Sequence, residues 1–261
     1  MANEKSRQFK RLNKKEERIL NKKDNRFIKS KINPVMDKVQ DKIPEKLRAT
    51  LETAFLKGFE LVFEKGNIVI EKTYNKDRLM SDHVVNDYIL EKKLNRRNMN
   101  TLDKYVRKSN RFNTSLSLVE GSVLGFFGIV LPDIPLFIGV IMKTINEIAL
   151  NYGFDYKNDN EKAFILKIIS AAMSEGEDKI RINDEISILG EAIDKNLEIN
   201  IDLDSLIKET AKILSDALLV GKFIQGIPFV GIVGGTINYT IIKKIAKYGQ
   251  IKYKKRYLAK K

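Results

Sequence analysis

The sequence predicts an all-α fold, a multi-helix bundle containing two glycine-rich apolar segments, each built as helix, proline turn and helix. Three observations carry this. Leu47, Leu51, Phe55, Phe59 and Phe63 recur every four residues, the spacing of one helix face. Alternating β-branched runs are few, and the chain holds five prolines and no tryptophan. Residues 116–152 and 222–244 are rich in apolar residues and glycine, and each is interrupted by proline. With 261 residues the chain is long enough to bury a substantial core.

The absence of cysteine excludes disulfides and thiolate metal sites, and a single histidine excludes His-rich zinc ligation, so no cofactor is expected. The opening MANEKSRQFKRLNKKEER has no apolar core of a secretory leader, which predicts a cytoplasmic protein. Residues 1–30 hold 11 Lys/Arg against 4 acids, and residues 243–261 hold 9 against none. The two ends therefore carry the whole net charge of +14, and the body between them is slightly acidic. Clustered cations of this kind attract phosphate, whether on lipid headgroups or on nucleic acid.

In chain order, residues 1–40 form a basic arm, either a weak amphipathic helix or disordered, ahead of a single helical domain over 41–261. Ile43-Pro44-Glu45 opens a helix that carries the phenylalanine stripe, a core face, to Gly66. Residues 67–74 fit a short strand or a further helical turn. Polar helices follow at about 77–94 and 101–108, with His83 read as a structural histidine. Leu131-Pro132-Asp133-Ile134-Pro135 stops one helix and starts the next. Pro132 cannot continue a helix, Asp133 can cap the new one, and Pro135 suits its first turn. Gly153 and Asp155 end that helix, and Asn158 with Glu161 has capping-box spacing for another lined by Phe164, Ile165, Ile168, Ile169 and Ala172. Residues 174–178 read as a turn, with helices at about 184–194 and 204–225, the second capped by Asp204.

Residues 223–242 are 20 consecutive uncharged positions, about the length that spans a bilayer's hydrocarbon core. Pro228 divides them into two half-helices too short to cross, which favours re-entry or tight packing. Gly121 with Gly125 and Gly231 with Gly235 form two GxxxG pairs whose faces are expected to pack together. Beyond them the helix turns cationic. Lys243, Lys244, Lys247, Tyr248, Lys252, Tyr253, Lys254, Lys255, Arg256 and Tyr257 make the combination of tyrosine and lysine that suits membrane headgroups or phosphate.

No phosphate-cradling glycine loop, nucleophile elbow, HExxH pair or EF-hand loop is present. Three stretches carry a family likeness. They are residues 43–67, IPEKLRATLETAFLKGFELVFEKGN, with IEKTY after them; the run from Gly121 through LPDIP to INEIALNYGFD at Asp155; and IPFVGIVGGTIN at 227–238 with its basic helix to Arg256. Together these resemble the EcsC proteins, bacterial proteins named for one encoded beside an ABC transporter. The likeness begins near Ile43 and leaves out the first 40 residues. It implies an α-helical, membrane-associated or peripheral protein, with an ABC transporter or another membrane protein as a partner class, and no catalytic residue set.

The reading that follows is a non-enzymatic helical protein at the inner face of the cell membrane, its basic ends on anionic lipid. Two alternatives stand beside it. One is a soluble enzyme or regulator with an acidic pocket near Asp133 and Glu147. The other, nucleic-acid binding through the basic tails, is less favoured because no RNP-like, KH-like or zinc-finger pattern accompanies them.

Overall fold

Every regular element in the computed structural model, which describes residues 2–21, 43–66, 70–115, 133–224 and 235–261, is helical. In chain order these are α1 (Ala2–Leu20), α2 (Glu45–Leu61) running into a π-helical turn (Val62–Gly66), α3 (Lys76–Lys92), α4 (Arg96–Ser115), α5 (Asp133–Asn151), α6 (Asp159–Met173), α7 (Gly176–Asp194), α8 (Leu203–Ile224) and α9 (Gly235–Lys260). Two of them organise the rest. Helix α5 is packed by α2, α3, α4 and α9, while α9 is packed by α1, α4, α5, α6, α7 and α8.

The local chemistry of the helix starts follows from the sequence. Asn75, Asn95, Asn158 and Asp202 each accept a hydrogen bond from a backbone N–H three residues on, at 2.8, 2.8, 2.8 and 3.0 Å, which satisfies a donor the helix leaves unpaired. Pro44 is the N-cap of α2, where a missing N–H costs nothing. Leu51, Phe55 and Phe59 are buried, so the phenylalanine stripe is core, and Phe55 meets Phe137 of α5 edge to face. At Gly58 the two helices come so close that an added Cβ would stand 2.5 Å from Ile138 Cδ1.

Several boundaries differ from expectation. Residues 62–66 continue α2 as a π turn and residues 70–71 are helical, so the strand alternative for 67–74 is not taken among the described residues. The turn at 174–178 shrinks to Ser174 and Glu175, because α7 begins at Gly176 and not near Asp184. Helix α8 is capped by Asp202, with Asp204 inside its first turn. Asp202 sits three residues before the N–H it caps, and that N–H belongs to Ser205, whose hydroxyl also donates to the same carboxylate at 2.6 Å. The basic arm is helical over residues 2–20 and lies against α9, with Leu12 buried.

Helix α5 begins at Asp133 with buried Pro135 in its first turn. Residues 134–151 form the single stretch among the described residues long and apolar enough to cross a membrane by composition, with mean hydropathy 1.3, and 83% of it is buried inside the protein. Gly235 is the first residue of α9. Gly121, Gly125, Pro132, Pro228 and Gly231 lie outside the described residues, as does half of the uncharged run.

Candidate functional site: a cationic cavity beside a charge-matched helix

The basic face expected of α9 divides into two parts. From Tyr248 onward, the helix is surrounded by other helices, and most of its cations point into the protein. Lys252 lies 2.7 Å from Glu16 Oε1 of α1 and donates to the Asn183 carbonyl oxygen and Ser187 Oγ of α7, both at 3.2 Å. Lys254 donates to both carboxylate oxygens of Asp103, at 2.8 and 3.0 Å. Arg256 donates to Glu161 Oε1 at 2.7 Å and makes a forked contact to Asp194 at 2.8 and 3.0 Å. Its guanidinium is held between the rings of Phe154 and Phe164, 4.3 and 4.4 Å from their centroids. Lys255 pairs with Glu16, and Lys261 with Asp87 and Glu91.

The tyrosines are internal as well. Tyr248 donates to Asn183 Oδ1 and Tyr257 to Asp87 Oδ1, each at 2.7 Å, and Tyr253 packs between Phe154 and Phe164. The picture of a uniformly cationic outer face is therefore corrected: Tyr248, Lys252, Tyr253, Lys254, Arg256 and Tyr257 are buried, and half-buried Lys255 is paired. The reason is that the C-terminal run has no acids of its own, but α1, α3, α4, α6 and α7 deliver carboxylates to it from distant parts of the chain.

This matching sets the ionisation of the acids. Burial alone would raise the Glu16 carboxyl, yet Lys252 and Lys255 outweigh it and hold the group below its ordinary range. Burial likewise opposes Arg256 and Lys260 at Asp194, and the cations win there too. Lys252 and Lys254 are both lowered by burial, which Glu16 and Asp103 offset in part. A folded carboxyl pKa below the unfolded value gives stability that is present above the unfolded value and lost as pH falls through the folded one. The urea midpoint is accordingly expected to be nearly flat from pH 7 to about 5 and to fall below about pH 4, the ordinary carboxylate range. A midpoint unchanged down to pH 3 would show that these pairs contribute nothing.

Lys243, Lys244 and Lys247, one to two turns earlier, are exposed. Lys244 and Lys247 line a partly enclosed cavity of about 420 Å³ together with Arg18, Ile19 and Leu20 of α1, Ala172 of α6, Glu175, Gly176 and Lys179 at the start of α7, and Tyr248. Among the described residues its charged lining is four cations and one carboxylate. Arg18 and Lys179 drew no notice in the sequence, since only the packing of α1 and α7 against α9 brings them beside Lys244.

A second polar cluster forms where residues 71–74 meet α5 and Tyr156. Tyr156 donates to Glu71 Oε1 at 2.7 Å, so Tyr74, whose hydroxyl is 2.6 Å away, donates to Tyr156. Burial, ahead of the nearby charges, pushes the Tyr74 phenol up to about 12. Buried Lys143 donates to the Thr73 carbonyl oxygen at 2.9 Å and is opposed in its loss of charge by nearby Glu147. Glu147 is buried in α5, but Asp133 is 14 residues back on the same helix, roughly 21 Å along its axis. His83 Nδ1 donates to the Asn151 carbonyl oxygen at 3.1 Å, and its ring meets Tyr257, a structural arrangement. Among the described residues no group of three or more His, Cys, Asp or Glu is placed to hold a metal.

These features define a class: an all-α bundle built on a buried, charge-matched helix, with a cation-rich cavity where the matching stops. The chain belongs to the EcsC protein family, whose profile matches residues 6–258. The match reaches further toward the N-terminus than the three motif stretches and takes in most of α1. The chain is also similar to the uncharacterised protein YdbA of Bacillus subtilis (strain 168), at 26% identity over 168 residues, covering 59% of this chain and 57% of that protein's length. The match thus spans a little over half of that relative. No solved structure matches the chain.

The family motifs acquire physical meaning here. In YGFD, Gly153 takes φ +80° and closes α5 with paired bonds from the Phe154 N–H to the Ala149 carbonyl and from the Gly153 N–H to the Leu150 carbonyl, both 2.9 Å. Phe154 then stacks on Arg256.

Proposed function

We propose that this EcsC-family protein binds the anionic inner face of the cell membrane as a peripheral, non-enzymatic protein. The observation that carries the reading is the exposed group Lys243, Lys244 and Lys247, joined by Arg18 and Lys179 from other helices, directly after the uncharged run 223–242. Each cation near a charged leaflet adds about 1 kcal/mol, and the Debye length limits the attraction to the first layer of headgroups. The family's name, taken from a protein encoded beside a transporter, is compatible with a place at that surface.

Flotation with vesicles tests it. Deleting residues 243–261 would remove buried Tyr253 and Leu258 and unfold the bundle, so charge-removing point changes are the right tool. The full chain is expected to float with vesicles containing phosphatidylserine, and not with phosphatidylcholine alone, at low salt. Changing Lys243, Lys244 and Lys247 together to Gln should weaken binding about a hundredfold, from about 1 kcal/mol for each cation. Absence of flotation in every condition would overturn the proposal. Binding that resists high salt would replace electrostatic attachment with apolar insertion.

A further inference from the structure

We infer that the cavity between α1, α7 and α9 is a binding pocket for a phosphomonoester, and that it selects among the anions the surface would meet. The argument begins with a contrast along α9. Lys252, Lys254, Lys255, Arg256, Lys260 and Lys261 each have a carboxylate partner supplied by another helix. Among the described residues Lys244, Lys247 and Arg18 have none, although the same helices α1 and α7 that furnish Glu16 and Asp194 run alongside. The fold matches its cations with acids wherever it fills the space between helices, and stops doing so where it leaves about 420 Å³ open.

Three side-chain cations beside one cavity repel one another unless an anion is shared between them. With Lys179 also on the wall and Glu175 as the one lining carboxylate among the described residues, the pocket favours an anion of charge near −2. A phosphomonoester has that charge at neutral pH and offers oxygens to several donors, with an Arg side chain suited to a forked contact. The volume falls within the range of small-molecule sites, roughly 300–1,000 Å³, and exceeds what the phosphate alone requires. Ile19, Leu20 and Ala172 give the cavity an apolar wall for the carbon backbone attached to the phosphate. Tyr248 also lines the cavity, and its hydroxyl is already committed to Asn183, so the ring is a fixed wall.

Such a phosphate comes either from a lipid headgroup such as phosphatidic acid or from a free phosphorylated metabolite. The pocket deepens the membrane reading, and rests on it only for the choice between these sources. Three measurements on the full chain separate the cases: calorimetric titration with sn-glycerol 3-phosphate, flotation with phosphatidic acid or phosphatidylserine vesicles matched in surface charge, and both repeated on Arg18→Gln, Lys247→Gln and Lys243→Gln. Circular dichroism and the urea midpoint establish that each variant is folded.

The expected result is saturable one-to-one binding of glycerol 3-phosphate, weakened at least tenfold by Arg18→Gln and by Lys247→Gln and less than twofold by Lys243→Gln, whose position lies outside the cavity. Phosphatidic acid vesicles should then bind better than phosphatidylserine vesicles, with glycerol 3-phosphate competing. Binding of the soluble probe without any flotation would keep the pocket, assign it a free metabolite and overturn the membrane reading alone. Flotation that ignores headgroup type and falls equally for all three variants, with no binding of the soluble probe, would overturn the pocket and leave diffuse surface charge.

Discussion

Arg256→Ala is expected to lower the unfolding free energy by about 3–5 kcal/mol, the cost of removing one partner from a buried ion pair. Glu161, 2% exposed, would keep a carboxylate inside the bundle with its guanidinium partner gone, and Asp194 would lose the forked contact and retain only the more exposed Lys260. The loss also opens the slot between Phe154 and Phe164 that the guanidinium fills. Urea titration gives the number, and two further variants test its origin. Arg256→Lys keeps the charge but not the fork, so an intermediate loss is expected. Arg256→Met combined with Glu161→Gln should recover part of the stability, because the stranded charge is removed with its partner. A loss under 1 kcal/mol for Arg256→Ala would mean that the triad is not a determinant of the fold.

Gly153→Ala should cost about 2–5 kcal/mol. An L side chain at φ +80° is strained by about 1–2 kcal/mol, and overpacking adds about 1–3 kcal/mol. The overpacking is specific, since the new Cβ would overlap the His83 ring at Nε2. The imidazole would have to leave its bond to the Asn151 carbonyl and its contact with the Tyr257 ring. In a His83→Ala background the same change should cost only the backbone part, about 1–2 kcal/mol. Equal costs in the two backgrounds would show that the ring moves aside freely.

What was legible in the sequence was whatever depends on neighbours within one or two turns. The phenylalanine stripe, the Asn158 cap, the helix start at Leu-Pro-Asp-Ile-Pro and the Gly153 stop are all set by local spacing. Even so, local pattern misassigned Glu161. It stands at the capping-box position, but its carboxylate turns away from the helix start to meet Arg256, 95 residues on. Asp204 reads as the cap of α8 from sequence, whereas Asp202 is the residue that caps it, and only the backbone path distinguishes the two aspartates.

The cationic helix shows the limit most clearly. Nine cations without an acid nearby in sequence read as a surface, yet six of them are paired with acids from positions as far away as Glu16 and Asp103. For the candidate site, Lys243, Lys244 and Lys247 were visible as cations. Arg18 and Lys179 became part of the same wall only through the docking of α1 and α7.

The reach of α9 has a consequence for biosynthesis. It leaves the ribosome after the eight other described helices, so Glu161, Asp194, Asp103 and Glu16 are translated long before the cations that neutralise them. Until then α1 lacks the surface on which Leu12 is buried, and the groove meant for α9 stands lined with uncompensated acids. Those acids repel one another and delay closure on a wrong helix, while a nascent chain broken off before residue 235 would be left open for chaperones and proteases to recognise.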